Sequence, residues 1–170
     1  GNFGYRDDFG VSPPMYAVRQ WSVRNSRKLE WLYQCFEGIL IALHPFWLWI
    51  GYSRIEKPIR AIEKSVKGVM FDCQMCGSCV LSQTGMSCPM NCPKELRNGP
   101  CGGVRSDGYC EVDSTMRCVW VDAWEGSQRM RDQTRIATVQ PPLAQGQRGR
   151  SSWLREVRKK RDQIFFQRDT

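Results

Sequence analysis

The sequence predicts a small α protein in which helices frame irregular, metal-bound loops. Eight of its nine cysteines fall between Cys73 and Cys118. The flanking stretches carry helical periodicity, whereas inside that window glycine and proline recur and no long apolar period does. With 170 residues, 41% of them hydrophobic, and a mean hydropathy of −0.49, the chain has room for one ordinary domain with extensions and none for a complete α/β barrel.

Residues 1–25 contain Gly4, Gly10, Pro13 and Pro14 among scattered aromatics without a period, and they read as an extended arm. The first of two N-terminal helices follows, with Leu29, Leu32, Tyr33, Phe36, Leu40 and Leu43 on one face until Pro45 ends or kinks it. The run ILIALHPFWLWIGY is 14 residues long and interrupted by His44 and Pro45, so it reads as a buried helix-turn-helix core and not a membrane span. Pro58 in a first turn, an apolar face of Ile59, Ile62 and Val66, and a stop at Gly68 announce the second helix. The helical and cysteine-rich part is expected to occupy residues 26–126. A linker with Pro141 and Pro142 then leads to a basic C-terminal helix from Trp153 to about Phe166, with Ser152 as N-cap, within residues 127–170.

Most of the net charge of +8 belongs to that last part, where residues 127–170 hold 11 Lys+Arg against 4 Asp+Glu. The opening GNFGYRDDFG has no apolar leader core, so a cytoplasmic location is expected. In that reducing compartment clustered cysteines serve as metal ligands more readily than as disulfides. The eight are Cys73, Cys76, Cys79, Cys88, Cys92, Cys101, Cys110 and Cys118, spaced C-x2-C-x2-C-x8-C-x3-C-x8-C-x8-C-x7-C. Three thiols at x2 spacing suit one compact centre, and the prolines after Cys88 and Cys92 are a habit of iron–sulfur loops. Eight ligands make two tetrathiolate sites, read as two [4Fe-4S] clusters with two Zn ions as the alternative. By analogy with ferredoxin loops, Cys73, Cys76 and Cys79 are grouped with Cys92. Cys35, between Leu32 and Leu40, is read as a buried thiol, and His44 is placed outside the ligand set.

Glycines beside the ligands (Gly77, Gly102, Gly103) would let backbone N–H groups approach cluster sulfurs or would simply make turns. Asp72, Asp107 and Asp113 read as turn residues. Lys94, Arg97, Arg105 and Arg117 could offset the negative charge of thiolate-bound clusters or lie on solvated surface.

The run CQMCGSCVLSQTGMSCPMNCPKELRNGPCGGVRSDGYCEVDSTMRCVW resembles the cysteine-rich module at the C-terminus of some bacterial methylenetetrahydrofolate reductases, which also occurs as a separate small subunit. The likeness covers about residues 70–124, and the PPL at Pro141 and SSWL at Ser151 are similar to the end of that module. It implies an iron–sulfur subunit that exchanges electrons with a larger FMN-bearing barrel subunit of the methylenetetrahydrofolate reductase type, in a hetero-oligomer. With no barrel of its own, the chain is expected to be a non-catalytic or electron-transfer subunit of an oxidoreductase complex. The arm from Phe3 to Trp21 and the segment from Pro141 to Phe166 are expected to lie across the partner. A structural zinc module is the competing reading. Nucleic-acid binding, suggested by RGRSSWLREVRKKR, is disfavoured because the body outside the tail is nearly neutral. A single histidine and no paired carboxylates speak against a hydrolase.

Overall fold

A computed structural model describes the backbone of residues 13–168 and the side chains of residues 16–162. Its helices are α1 (Pro13–Arg24), α2 (Ser26–Ala42), α3 (His44–Ile50), α4 (Tyr52–Phe71), α5 (Val119–Ser127) and α6 (Ser152–Arg168), with short 3-10 turns at Pro89–Asn91, Gln133–Ala137 and Gln145–Gln147. Among the described residues there is no β-strand, only an isolated antiparallel bridge between Tyr109 and Arg117. The mainly helical class holds. No described helix is long and apolar enough to cross a membrane.

The extended arm is corrected in its second half, since residues 13–24 form α1, while residues 1–12 lie outside the described residues. Prolines at a helix start sacrifice only N–H groups that have no partner there. α1 packs on α4 and α5, with Ser22 Oγ donating to the Met70 carbonyl (2.9 Å) and Gln20 Nε2 to Asp122 Oδ2 (2.7 Å). Arg19, inside the arm expected to face a partner, is therefore buried within this chain, as is Ser22 just beyond it.

α2 and α3 meet at Leu43, and Pro45 sits in the first turn of α3, where its missing N–H costs nothing. The expected buried hairpin is only half buried. Leu29, Leu40 and Trp47 face inward, but Leu32, Ile39, Leu43, Phe46, Leu48 and Trp49 remain exposed, Trp49 at 81%. Cys35 is also exposed, not buried, because it lies away from the Leu29–Leu40 side that meets the core.

Gly51, at φ +92, breaks α3 from α4, so the second expected helix begins six residues before Pro58 and runs past Gly68 to Phe71. Its buried face is also different: Ile55, Glu63, Lys67 and Phe71 point inward, whereas Ile62 and Val66 are exposed. The buried row advances by four residues at a time, bringing a charged pair into the interior where sequence hydrophobicity favoured the neighbouring stripe.

α5 was not evident in the sequence, because its VWVDAWEGS shows no clean amphipathic period. It is pinned by backbone approach: a Cβ on Gly126 would lie 2.1 Å from the Gly85 carbonyl oxygen, and Ser26 Oγ donates to the Gly126 carbonyl at 2.8 Å. The basic helix α6 is present as expected, with Ser151 rather than Ser152 capping it through Leu154 N (3.3 Å). It docks on this chain itself. Trp153, Leu154 and Val157 join Leu40, Trp47 and Ile55 in one apolar cluster, and Phe36 meets Trp153 edge-on at 4.6 Å. Several of its cations have partners here, with Lys160 on Glu37 (2.7 Å) and Arg158 over the Tyr52 ring (4.8 Å).

Candidate metal centre

α4 delivers the first thiol. Asp72 takes a left-handed conformation (φ 50°, ψ 52°) that ends the helix, and Cys73 N donates back to the Lys67 carbonyl at 3.2 Å. The loop beyond it reverses at Met75 (φ 47°) and Gly77 (φ 73°), presenting Cys73, Cys76 and Cys79 to one small cavity. Gly77 is required twice over, by its φ and because a Cβ there would stand 2.1 Å from the Gln147 carbonyl oxygen. Gly149 N binds the Met75 carbonyl (2.8 Å), and Arg155 Nη1 binds the Gly77 carbonyl (2.9 Å) and Ser78 Oγ.

The fourth thiol on this cavity is Cys88, not Cys92. Cys88 and Cys92 flank the 3-10 turn Pro89–Asn91, which completes a revolution in three residues and rises about 2 Å per residue, so the two side chains are carried to separate cavities. Cys92, Cys101, Cys110 and Cys118 line the second one. Here the chain doubles back on itself. Cys110 N donates to the Met116 carbonyl (2.9 Å) and Cys118 N to the Gly108 carbonyl (3.0 Å), while the reversal between them is held by Asp113 Oδ1 accepting from Thr115 N (2.9 Å). Trp120 Nε1 ties α5 to the Leu96 carbonyl at 3.0 Å. Cys35 and His44 line neither cavity; His44 Nδ1 is paired with Tyr52 Oη at 2.6 Å.

Donors are aimed at the sulfurs of the first set. Met75 N approaches Cys73 Sγ at 3.4 Å, Tyr33 Oη approaches Cys79 Sγ at 3.7 Å and Arg97 Nη1 approaches Cys76 Sγ at 3.8 Å. Burial pushes the Cys73 thiol up to about 11 and holds the Cys88 thiol above its ordinary range, as desolvation disfavours an unmetallated thiolate. Lys67 and Glu63, each 1% exposed and 2.8 Å apart, also line this cavity. Burial alone would depress the Lys67 ammonium, but Cys79, Tyr33 and Glu63 outweigh it and hold the ammonium above the usual lysine value. The second cavity has instead the exposed pair Lys94–Glu111, with Glu111 accepting from Cys101 Sγ at 3.4 Å. Among the described residues no three His, Cys, Asp or Glu side chains converge to the spacing of a bound ion.

The charged residues near the ligands divide accordingly. Arg97 and Lys94 face the two cavities, while Arg105 pairs with Asp107 and Arg117 with Glu125. Asp72, Asp107 and Asp113 serve turns, with Asp107 Oδ1 accepting from Tyr109 N at 3.0 Å. Sequence reasoning missed Glu63, Lys67, Tyr33 and Arg155. The first two were legible only as charged residues continuing the four-residue row Ile55–Ile59–Glu63–Lys67–Phe71.

Residues 52–145 match the family model described as methylene-tetrahydrofolate reductase C terminal. The chain belongs to that family. No curated protein and no solved structure matches it. The matched segment of this methylene-tetrahydrofolate reductase C-terminal family member opens with α4 and contains all eight clustered cysteines, but it stops before α6. The PPL motif at Pro141 thus falls inside the match and the SSWL motif at Ser151 outside it.

Proposed function

We propose that this chain is an iron–sulfur subunit that exchanges electrons with a flavin-bearing partner of the methylenetetrahydrofolate reductase type. The observation that carries the reading is the division of eight cysteines into two cavities of four, Cys73, Cys76, Cys79 and Cys88 around one and Cys92, Cys101, Cys110 and Cys118 around the other. Four thiols per site is the donor set of a [4Fe-4S] cluster. The N–H, O–H and guanidinium donors directed at three sulfurs of the first set suit sulfur ligands that carry negative charge. A bound cluster supplies reversible one-electron chemistry. The protein residues hold the thiols, limit water around the first set and donate to its sulfurs. No side chain is assigned a catalytic role, and the substrate would be bound and reduced on the partner.

Family membership supports a partner of this type, and so does the surface. Trp31, Leu32, Ile39, Leu48 and Trp49 stand exposed on α2 and α3, large apolar side chains of the kind a partner surface covers. The test is anaerobic purification of the chain. Close to eight iron and eight sulfide per chain, with a broad visible absorption bleached by dithionite, is the expected result for two such clusters. A colourless protein with two zinc ions overturns the reading in favour of a structural module.

A further inference from the structure

Glu63 and Lys67 form an ion pair at the depth of the core, each 1% exposed. Charges at that depth lose their hydration, and the pair contributes little net stability for it, so stability alone does not explain why α4 carries them inward. Their partners show how the pair is oriented. Glu63 turns toward the start of α6, accepting from Ser151 Oγ (2.6 Å), Ser152 N (3.2 Å) and Trp153 N (3.4 Å). A helix N-terminus offers unpaired N–H groups and a partial positive charge, which together neutralise a carboxylate.

Lys67 meets the same start of α6 and, like Glu63, lines the cavity of the first thiol set. Nζ donates to Glu63 Oε1 and Ser152 Oγ, both at 2.8 Å, and stands 5.6 Å from the Tyr33 ring centroid and 5.1 Å from that of Trp153. An ammonium has three N–H donors, and those two bonds use two of them. Lys67 also borders the cavity of Cys73, Cys76, Cys79 and Cys88. The second cavity has no buried equivalent among the described residues, since Lys94 is 44% exposed and paired with Glu111.

We propose that Lys67 is the resident countercharge of the first thiol set, positioned by Glu63, and that it raises the reduction potential of that centre relative to what the thiols alone would give. This rests on the iron–sulfur reading. Four cysteinates leave a bound cluster anionic, and reduction adds one electron with no bond made or broken, so a fixed cation beside it favours the reduced state.

The test uses the full chain reconstituted anaerobically with iron and sulfide, titrated with dithionite and followed by electron paramagnetic resonance, with iron content measured alongside. Lys67→Met is expected to shift one of the two potentials negative at unchanged iron content, and Glu63→Gln to shift the same one positive. A merely structural pair would move both variants the same way or cost both their iron, and either result overturns the proposal. Should Lys67→Met fail to fold around an orphaned carboxylate, the double variant Glu63→Gln/Lys67→Met removes both charges, and its potential is expected below that of Glu63→Gln; equality would overturn the assignment. A native chain that takes up no iron overturns the iron–sulfur reading and this inference with it. Two native centres whose potentials neither variant moves overturn this inference alone.

Discussion

The first thiol set is tied to residues distant in the chain, Tyr33 from α2 and Ser152 and Arg155 from α6, as well as to Glu63 and Lys67 of the adjoining α4, whereas the second is folded largely by its neighbours between Cys92 and Trp120. Around the first, Lys67 reaches Ser152 across 85 positions and Arg155 reaches Gly77 across 78. Around the second, the bonds that set the geometry are short-range: Cys110 to Met116, Thr115 to Asp113, Cys118 to Gly108. One centre is therefore a keystone between helices and the other a locally tied loop. Long-range closure loses more chain entropy than local closure, so the first depends more on whatever occupies it.

Ligand replacement gives the largest expected effect on this comparison. Cys88→Ser and Cys101→Ser are each expected to cost about half of the bound iron, since each removes one ligand from one of two four-thiol sites. They should differ in reach. Hydrogen exchange is expected to show the start of α6 opening in Cys88→Ser and staying protected in Cys101→Ser, while Cys35→Ser changes neither quantity. Equal loss of α6 protection in the two ligand variants would mean that both centres brace α6 alike.

A smaller effect is expected from Gly77→Ala. The substitution puts a side chain at φ +73 and 2.1 Å from the Gln147 carbonyl oxygen, so the loop and the segment after Ala144 must separate. Left-handed strain alone costs about 1 kcal/mol, and the backbone contact adds to it. Chemical denaturation should register the loss, and iron retention should fall at the first site only.

The smallest effect comes from protons. His44 is the only histidine, and burial, helped by Arg161 and opposed by Asp162, lowers its pKa from 6.5. A depressed folded-state pKa means the unfolded chain binds the proton more tightly, so this contribution to stability is present above about 6.5 and is lost as pH falls through the folded value. Stability is expected to decline modestly on acidification in that window, and His44→Gln to flatten the slope. An unchanged slope would separate the α3–α4 corner from the pH response.

How much of this was legible in advance varies along the chain. The Leu29–Leu40 stripe, the break at Pro45, the basic helix after Ser151 and the eight clustered thiols could all be read from spacing, because they depend on periodicity, proline chemistry and residue type. The arm that became α1 and the short helix α5 were not, since neither carries a strong period of its own and both are ordered by packing, α1 on α4 and α5, and α5 on α1 and α2. The buried face of α4 was illegible for a related reason: Ile62 and Val66 are more apolar than Glu63 and Lys67, and only the arrival of Ser151 and Ser152 at the start of α6 satisfies the charged pair.

By itself the sequence determined the mainly helical class, the count of eight thiols in one window, the basic tail and the family to which residues 52–145 belong. Tertiary structure alone decided that Cys88 joins the triplet while Cys92 leaves it, that Lys67 stands beside the first set, and that α6 returns to cover it. The physical reason is common to all three. Spacing measures distance along the chain, whereas the grouping of thiols and charges is set by where a 3-10 turn rotates the backbone and where distant helices meet to exclude water.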